Sequence, residues 1–318
     1  MKLTDADLGV FIEKVLKLPP GKRQEYLRQV GYLIERLEKK INDDSSFKVL
    51  RFTKTGSLTK GTVLRPKDGF GVDADVAVDL DLSEATKDDV DLLHNTIRKL
   101  LIAVYPQKKD GDFAVQPRTL GIHFHDSGLD VDLVPIVPIP AQPGYGWQPS
   151  SQGDTPVKTS VKGQLQFIRT RSDKDSRYRP LVRLLKRWRN YQELEKLRSF
   201  TIELILAALL DKNGAPDSLE DGLQRFFLYI AQSELKEPIW FPENGTVSKL
   251  PADPVVVLDP VNGENNVTRR LQEAERKEVV AKATTAWETI SAASWKGGKG
   301  DTVELWKQVF GRSFVIEE

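Results

Sequence analysis

The sequence predicts an α/β protein of the α+β type, built as a mixed sheet on one long spine helix near the N-terminus and followed by a helical half. Three observations predict it. Residues 72–82 alternate strictly, residues 22–42 repeat apolar side chains at spacings of three and four, and most segments beyond residue 177 carry the helical period. At 318 residues the chain has room for about two domains of ordinary size.

Pro19-Pro20-Gly21 sets the start of the spine helix, whose stripe Tyr26, Leu27, Val30, Leu33, Ile34, Leu37 and Ile41 marks one amphipathic face over 22–42. A short strand from Phe47 to Phe52 leads to a turn at Gly56-Ser57. The stretch Leu58 to Leu64, short and rich in Thr, Lys and Gly, fits a functional turn. In the alternating segment Val72, Ala74, Val76, Val78, Leu80 and Leu82 share one face and Asp73, Asp75, Ala77, Asp79 and Asp81 the other, as a half-buried strand requires. A helix over about 87–104 stops at Pro106; a strand near 113–125, a turn at Asp126-Ser127-Gly128 and a strand over 129–137 follow. Residues 138–176 hold Pro138, Pro140, Pro143, Pro149 and Pro156 with little periodicity, the composition of a crossover between domains. Helices are expected over 179–195, 199–212, 219–235, 266–293 and 302–310, with a loop around Pro251, Pro254 and Pro260. The expected domains are 1–160 and 161–318.

With 47 basic against 46 acidic residues the formal net charge is +1, which excludes the strongly basic balance of a dedicated nucleic-acid or membrane-surface binder. The absence of cysteine excludes disulfides and thiolate metal sites, and three histidines argue against structural zinc. The start Met1-Lys2-Leu3-Thr4 lacks the pattern of a signal peptide, and no stretch approaches about 18 uninterrupted apolar residues. The expectation is a cytoplasmic protein with no membrane partner.

The chemistry concentrates in the acidic positions. Asp73 and Asp75 point to the same side of their strand, about 6.5–7 Å apart along it. Aspartate is a poor strand former, so the placement is expensive unless used. Two carboxylates about 4 Å apart repel by roughly 4 kcal/mol at an effective dielectric of 20, and a divalent cation turns that repulsion into binding. That argues for magnesium or manganese. A further carboxylate is expected from Leu129-Asp130-Val131-Asp132-Leu133, where Asp130 and Asp132 share a face. The Gly56-Ser57 turn can offer backbone N–H groups and a hydroxyl to a phosphate, the partner that two metals on three carboxylates serve.

These residues resemble the polymerase-β-like nucleotidyltransferases, whose pattern is a Gly-Ser turn, Asp-x-Asp on a strand, and a single Asp on another strand. Here that reads Gly56-Ser57, Asp73-Ala74-Asp75 and, by the family's register, Asp132 rather than Asp130. Lys60-Gly61-Thr62-Val63-Leu64-Arg65 and Val131-Asp132-Leu133-Val134-Pro135 are similar to the oligoadenylate synthetase branch. Leu181 to Trp188 and Ser199-Phe200-Thr201-Ile202-Glu203 resemble the helical lobe of these enzymes, which implies a donor-triphosphate contact for Lys186 and phosphate-holding and base-stacking roles for Ser199 and Phe200. The ending Leu305 to Gly311 with Phe314 resembles bacterial cGAS/DncV-like nucleotidyltransferases, the CD-NTases of anti-phage signalling.

The resemblance implies a nucleotidyltransferase core over 1–160, a helical substrate-binding lobe over 161–318, and an active site in the cleft. It implies catalytic and metal-binding roles for Asp73, Asp75 and Asp132, two Mg2+ ions (or Mn2+), and ATP with other NTPs as substrates held through Gly56, Ser57, Lys186, Ser199 and Phe200. The implied product is a cyclic di- or trinucleotide, adenine-containing, that activates a downstream effector in antiviral (CBASS) defence. A HORMA-domain regulator and nucleic-acid activation are the partners it raises. The alternatives are a linear oligoadenylate or RNA-tailing transferase and, outside enzymes, an inactive regulatory protein of the same fold.

Other features take plainer readings. Gly56 to Thr62 approaches the phosphate-loop pattern, but Thr62 stands where its lysine belongs. Nothing in the sequence completes a metal site around His123 and His125. Asp79 and Asp81 read as a solvated strand face, and Trp188, Trp287 and Trp306 as core.

Overall fold

Thr4 caps a short helix, α1 (Asp5–Phe11), by accepting from the Asp7 N–H while the Asp7 carboxylate accepts from the Thr4 N–H. The expected spine follows as one helix, α2 (Lys22–Asp44), in the computed structural model, which describes residues 1–66, 71–83, 92–153 and 155–317. The chain divides into two compact units, one Leu18–Leu165 and the other Met1–Lys17 with Gln166–Glu318.

In the first unit α2 buries Tyr26, Val30, Leu33, Leu37 and Ile41, each such side chain contributing roughly 1.5–3 kcal/mol. The sheet beneath runs in the order β1 (Lys48–Thr55), β2 (Val72–Asp81), β5 (Leu129–Pro138), β4 (Leu120–Phe124), β3 (Phe113–Val115). β2 and β5 are parallel and the other pairs antiparallel. The apolar set Val72, Ala74, Val76, Val78 and Leu80 meets α2 and helix α4 (Leu93–Val104) in one core, so the acidic face of β2 is turned the other way. Between β1 and β2 lies a single helical turn, α3 (Gly56–Lys60). Strands β6 (Gly146–Gln148) and β7 (Val157–Thr159) extend the sheet from the end of β5.

Three expectations are redrawn. The strand near 113–125 is two strands, because Pro117 has no N–H to give a ladder and Gln116 turns back to bond the Thr119 carbonyl at 2.9 Å. The crossover 138–176 contains β6, β7 and a helix, α5 (Val161–Lys174), whose buried positions Phe167, Ile168, Arg171 and Ser172 are half polar and so hide the period. Arg171 is buried because its guanidinium pairs with Asp211 at 2.8 Å and Glu243 at 2.5 Å and lies over the Phe167 ring. The helix expected over 266–293 begins at Glu273, since Asn262–Asn266 pairs with Leu258–Asp259 as a small hairpin, β8 and β9. Residues 87–91 of the helix expected over 87–104 lie outside the described residues.

The second unit is helical: α6 (Tyr178–Tyr191), α7 (Ser199–Asn213), α8 (Leu219–Ser233), α9 (Glu273–Ser294) and α10 (Lys299–Phe310). Residues 1–17 belong with it rather than with the sheet, against the expected 1–160 division. The reason is aromatic packing, with Phe11 4.9 Å from Phe314 and 5.7 Å from Phe310, ring centre to ring centre. Trp188 and Trp306 are fully buried, while Trp287 is half-buried. Among the described residues no helix is long and apolar enough to cross a membrane.

His94 on α4 is 4% exposed and its Nε2 has no hydrogen-bond partner among the described residues. Burial, then the charge of Arg118, lowers its pKa, so the folded protein keeps it neutral. The unfolded chain takes up that proton below about pH 6.5, and stability carried by neutral His94 is lost as pH falls through that value. Replacing His94 with leucine should therefore shrink the drop in Tm between pH 7.5 and pH 5.5 relative to the unmodified protein, a comparison differential scanning calorimetry makes directly.

Candidate active site

The acidic residues are placed by register. On the parallel pair β2 and β5, Asp73 stands opposite Asp130 and Asp75 opposite Asp132, and neighbouring strands are about 4.8 Å apart. All four lie on the face away from the core, because Val72, Ala74, Val76, Leu129, Val131 and Leu133 alternate with them and are buried. Burial, followed by the charges of Asp75, Asp73 and Asp130, pushes the Asp132 carboxyl up to about 6. Asp79 pairs with Arg51, and Asp81 accepts from the Ser83 N–H, so both have plain surface partners.

Glycines leave room for these carboxylates. Gly56 has φ +69°, and a Cβ there would lie 1.7 Å from Asp75 Oδ2. That follows from the antiparallel pairing of Thr55 with Asp75, which sets the start of α3 against the carboxylate. Gly121 on β4 faces Asp132, and a Cβ on it would stand 3.2 Å from Oδ1. Ser57 is the second residue of α3, its carbonyl accepting from the Thr62 N–H at 2.9 Å. Arg23 of α2 fixes this turn from behind, donating to the carbonyls of Leu58 at 2.9 Å and Thr59 at 3.0 Å.

Gly56, Ser57, Asp73, Asp75 and Asp132 thus gather at one end of one sheet, while Lys186, Ser199 and Phe200 belong to the other unit. There Lys186 is buried on α6, and Ser199, the first residue of α7, accepts from Arg189 Nη1 at 3.0 Å; Phe200 is half-buried. Gly121 and Arg23 were not singled out from the sequence. The signal for Gly121 was available, since a glycine on the polar face of an alternating strand marks a close approach; Arg23 acts through backbone carbonyls that no spacing reveals. Arg189 stands in the sequence's basic cluster Arg177, Arg179, Arg183, Lys186, Arg187 and Arg189, and its partner is the Ser199 hydroxyl.

His123 and His125 do not pair on a metal. His123 Nδ1 is 2.7 Å from Asp130 Oδ1, and His125 Nε2 is 2.6 Å from Asp112 Oδ1. Among the described residues no three acidic or imidazole side chains converge tightly enough to hold an ion as they stand. The all-oxygen set of Asp73, Asp75 and Asp132 suits a hard divalent cation once the side chains rotate toward one another.

No protein-family model matches the sequence. The fold matches CdnC of Escherichia coli MS115-1 solved with ATP, at TM-score 0.84 and 33% identity over 98% of this chain and 99% of that one. It also matches the complex of that strain's CdnC with HORMA-deltaN, at TM-score 0.82 and 30% identity over 99% of both chains. Fold and acidic array together define a nucleotidyltransferase. A CBASS oligonucleotide cyclase, CdnC, of Escherichia coli strain KTE188 is 41% identical over 318 residues, 100% of this chain and 99% of that protein. A cyclic AMP-AMP-AMP synthase of Escherichia coli strain MS 115-1 is 33% identical over 314 residues, 96% of this chain and 95% of that protein. The chain belongs to the CD-NTase family, the oligonucleotide cyclases of bacterial CBASS systems.

Proposed function

We propose that this cyclase builds its ring from ATP, alone or with other NTPs, on the carboxylates Asp73, Asp75 and Asp132. The observation that carries the residue assignment is the opposition of Asp75 and Asp132 on adjacent parallel strands beside the Gly56-Ser57 turn. The 33% identical relative, named for cyclic AMP-AMP-AMP, supports three adenylates as the product, and the solved relative with ATP supports the substrate.

The donor set fits magnesium or manganese: it is oxygen only, and burial followed by the neighbouring carboxylates raises Asp132 to about 6, a penalty that a divalent charge relieves. Two such ions, held by Asp73, Asp75 and Asp132, supply neutralisation of charge on the attacking and leaving oxygens. The residues do the rest. A ribose hydroxyl oxygen attacks the α-phosphorus, the bond to the pyrophosphate oxygen breaks in line, and Asp132 takes the hydroxyl proton. Ser57 and the Gly56 backbone bind triphosphate oxygens; Lys186 and Ser199 bind phosphate, and Phe200 stacks on a base. Arg189 holds the Ser199 hydroxyl in place. Further rounds and a final closure on the first nucleotide give the ring.

The pKa carries a consequence. Below about pH 6 Asp132 is protonated without metal, and binding a cation must expel that proton. Mn2+ affinity, followed by isothermal titration, should be about fourfold weaker at pH 5.5 than at pH 7.5, and Asp132→Asn should lose Mn2+ binding at both pH values.

Incubation with labelled ATP, GTP, CTP and UTP plus magnesium, then phosphatase and mass spectrometry, tests the function beside an Asp73→Asn/Asp75→Asn control. A phosphatase-resistant ring absent from the control is expected. Linear products, or extension of an RNA primer, would replace the proposal with a tailing transferase. The HORMA complex of the relative supports a HORMA-domain regulator here, and co-elution with such a protein on gel filtration is the check. The downstream effector is assigned on family membership.

A further inference from the structure

The sheet presents the carboxylates as two rows. One row, across β2, β5 and β4, reads Asp75, Asp132, Gly121; the next reads Asp73, Asp130, His123. The rows have the same acids and differ in their neighbours: β1 sets Thr55 beside Asp75, and β4 sets Gly121 beside Asp132 but His123 beside Asp130. Asp132 faces a residue without a side chain, whereas Asp130 faces an imidazole that reaches it at 2.7 Å.

We propose that His123 is a positioning residue that holds Asp130 out of the cation-binding set, leaving Asp73, Asp75 and Asp132 as the ligating carboxylates. This rests on the metal-dependent reading above. One Asp130 oxygen is bonded and the other is crowded. Oδ1 accepts from His123 Nδ1, and Oδ2 lies so close to Gly71 that a Cβ there would come within 2.4 Å of it. His123 is itself braced: the His125 ring packs edge-on against it with centres 4.5 Å apart, His125 bonds Asp112, and Lys108 donates to the His123 carbonyl. An imidazole with this much support, spent on the acid beside Asp132, selects between two carboxylates that the strand presents alike. Without it, four acids compete for the same ions, and a cation that settles between Asp73 and Asp130 is displaced by two residues along the strand, about 6.5–7 Å, from where the nucleotide must react.

The test uses full-length protein, with Mn2+ as the probe, its binding followed by electron paramagnetic resonance, and cyclic product measured in parallel. His123→Ala should bind Mn2+ about fivefold more tightly, as one more unit charge about 4 Å away in water implies, while kcat falls about ten- to hundredfold, the scale that misplacement of a reacting centre costs. Adding Asp130→Asn to that variant should return both values. His123→Asn, whose amide nitrogen takes the place of Nδ1, should keep both, and Asp130→Asn alone should keep Mn2+ affinity and turnover within about twofold. If His123→Ala is too unstable to purify, these last two variants decide. Loss of Mn2+ binding and turnover in Asp130→Asn would make Asp130 a ligand and overturn the proposal, as would unaltered Mn2+ binding and kcat in His123→Ala. Asp132→Asn separates the levels. If it leaves Mn2+ binding intact, the metal reading fails and takes this inference with it; if it abolishes binding while His123→Ala behaves as the unmodified protein, only the inference fails.

Discussion

Alanine in place of Gly56 should nearly abolish cyclic product and also lower stability. Two independent effects act at one Cβ. The backbone there has φ +69°, where an L side chain costs about 1–2 kcal/mol. The added carbon would also stand 1.7 Å from Asp75 Oδ2 and 2.6 Å from its Cγ, inside any van der Waals contact. Either α3 shifts or Asp75 leaves its rotamer, and both move a proposed metal-binding group by an ångström or more. Displacements of that size lower rates by about a hundredfold, so turnover should fall to about 1% of the unmodified value, with a destabilisation of about 1–3 kcal/mol in urea unfolding. A Gly61→Ala variant is the control. It shares the positive φ of +69° at the other end of α3, but nothing lies within 4 Å of the new Cβ, so it should lose stability and keep most of its turnover.

Asp75→Asn should have the opposite pattern, with activity lost and stability gained. The amide keeps the shape of the carboxylate and removes a charge that contributes, after burial itself, most to the raised pKa of Asp132. Turnover should drop by more than about a hundredfold, beyond what outer-shell partners of metal ligands cost. In metal-free buffer at pH 7.5 one repulsion disappears, worth about 1 kcal/mol at near-water dielectric. For a unit of about 150 residues that is roughly 2–4 °C in Tm. Calorimetry and product assays on the same preparation settle both signs. A lower Tm would mean that Asp75 supports the fold through contacts its charge repulsion does not outweigh.

Much of the sheet was legible because its residues obey two rules at once. Val72 to Leu82 alternates apolar and acidic, so both its strand state and the side its acids occupy can be read directly. The spine helix was equally plain, five of its stripe residues being fully buried. Helix α5 was not, because the polar Arg171 and Ser172 sit on its buried face, satisfied by Asp211 and Glu243 from distant segments and by the Arg169 carbonyl. Within the candidate site, the sequence shows which acids share a face but not which face which. Register did that, setting Asp132 beside Gly121 and Asp130 beside His123. The small hairpin at Leu258–Asn266 escaped for a similar reason. Its buried Asp259, Asn262 and Asn266 look like loop residues until their hydrogen bonds are seen, such as Asn266 to the Val255 carbonyl at 2.8 Å.

The membership of residues 1–17 in the helical unit has a consequence for biosynthesis. The sheet-bearing unit is one uninterrupted stretch, Leu18–Leu165, whereas the helical unit is assembled from two pieces on either side of it. On a ribosome the sheet can close around its core as soon as residue 165 clears the exit tunnel. Residues 1–17 must wait, with Leu8 and Phe11 uncovered, until Phe310 and Phe314 emerge. At ordinary elongation rates of about 5–20 residues per second that delay is roughly 15–60 s. Nascent chains stalled before residue 310 should therefore carry a protease-resistant sheet and a segment 1–17 still open to cleavage, so that the helical half is completed only once Phe310 and Phe314 are out.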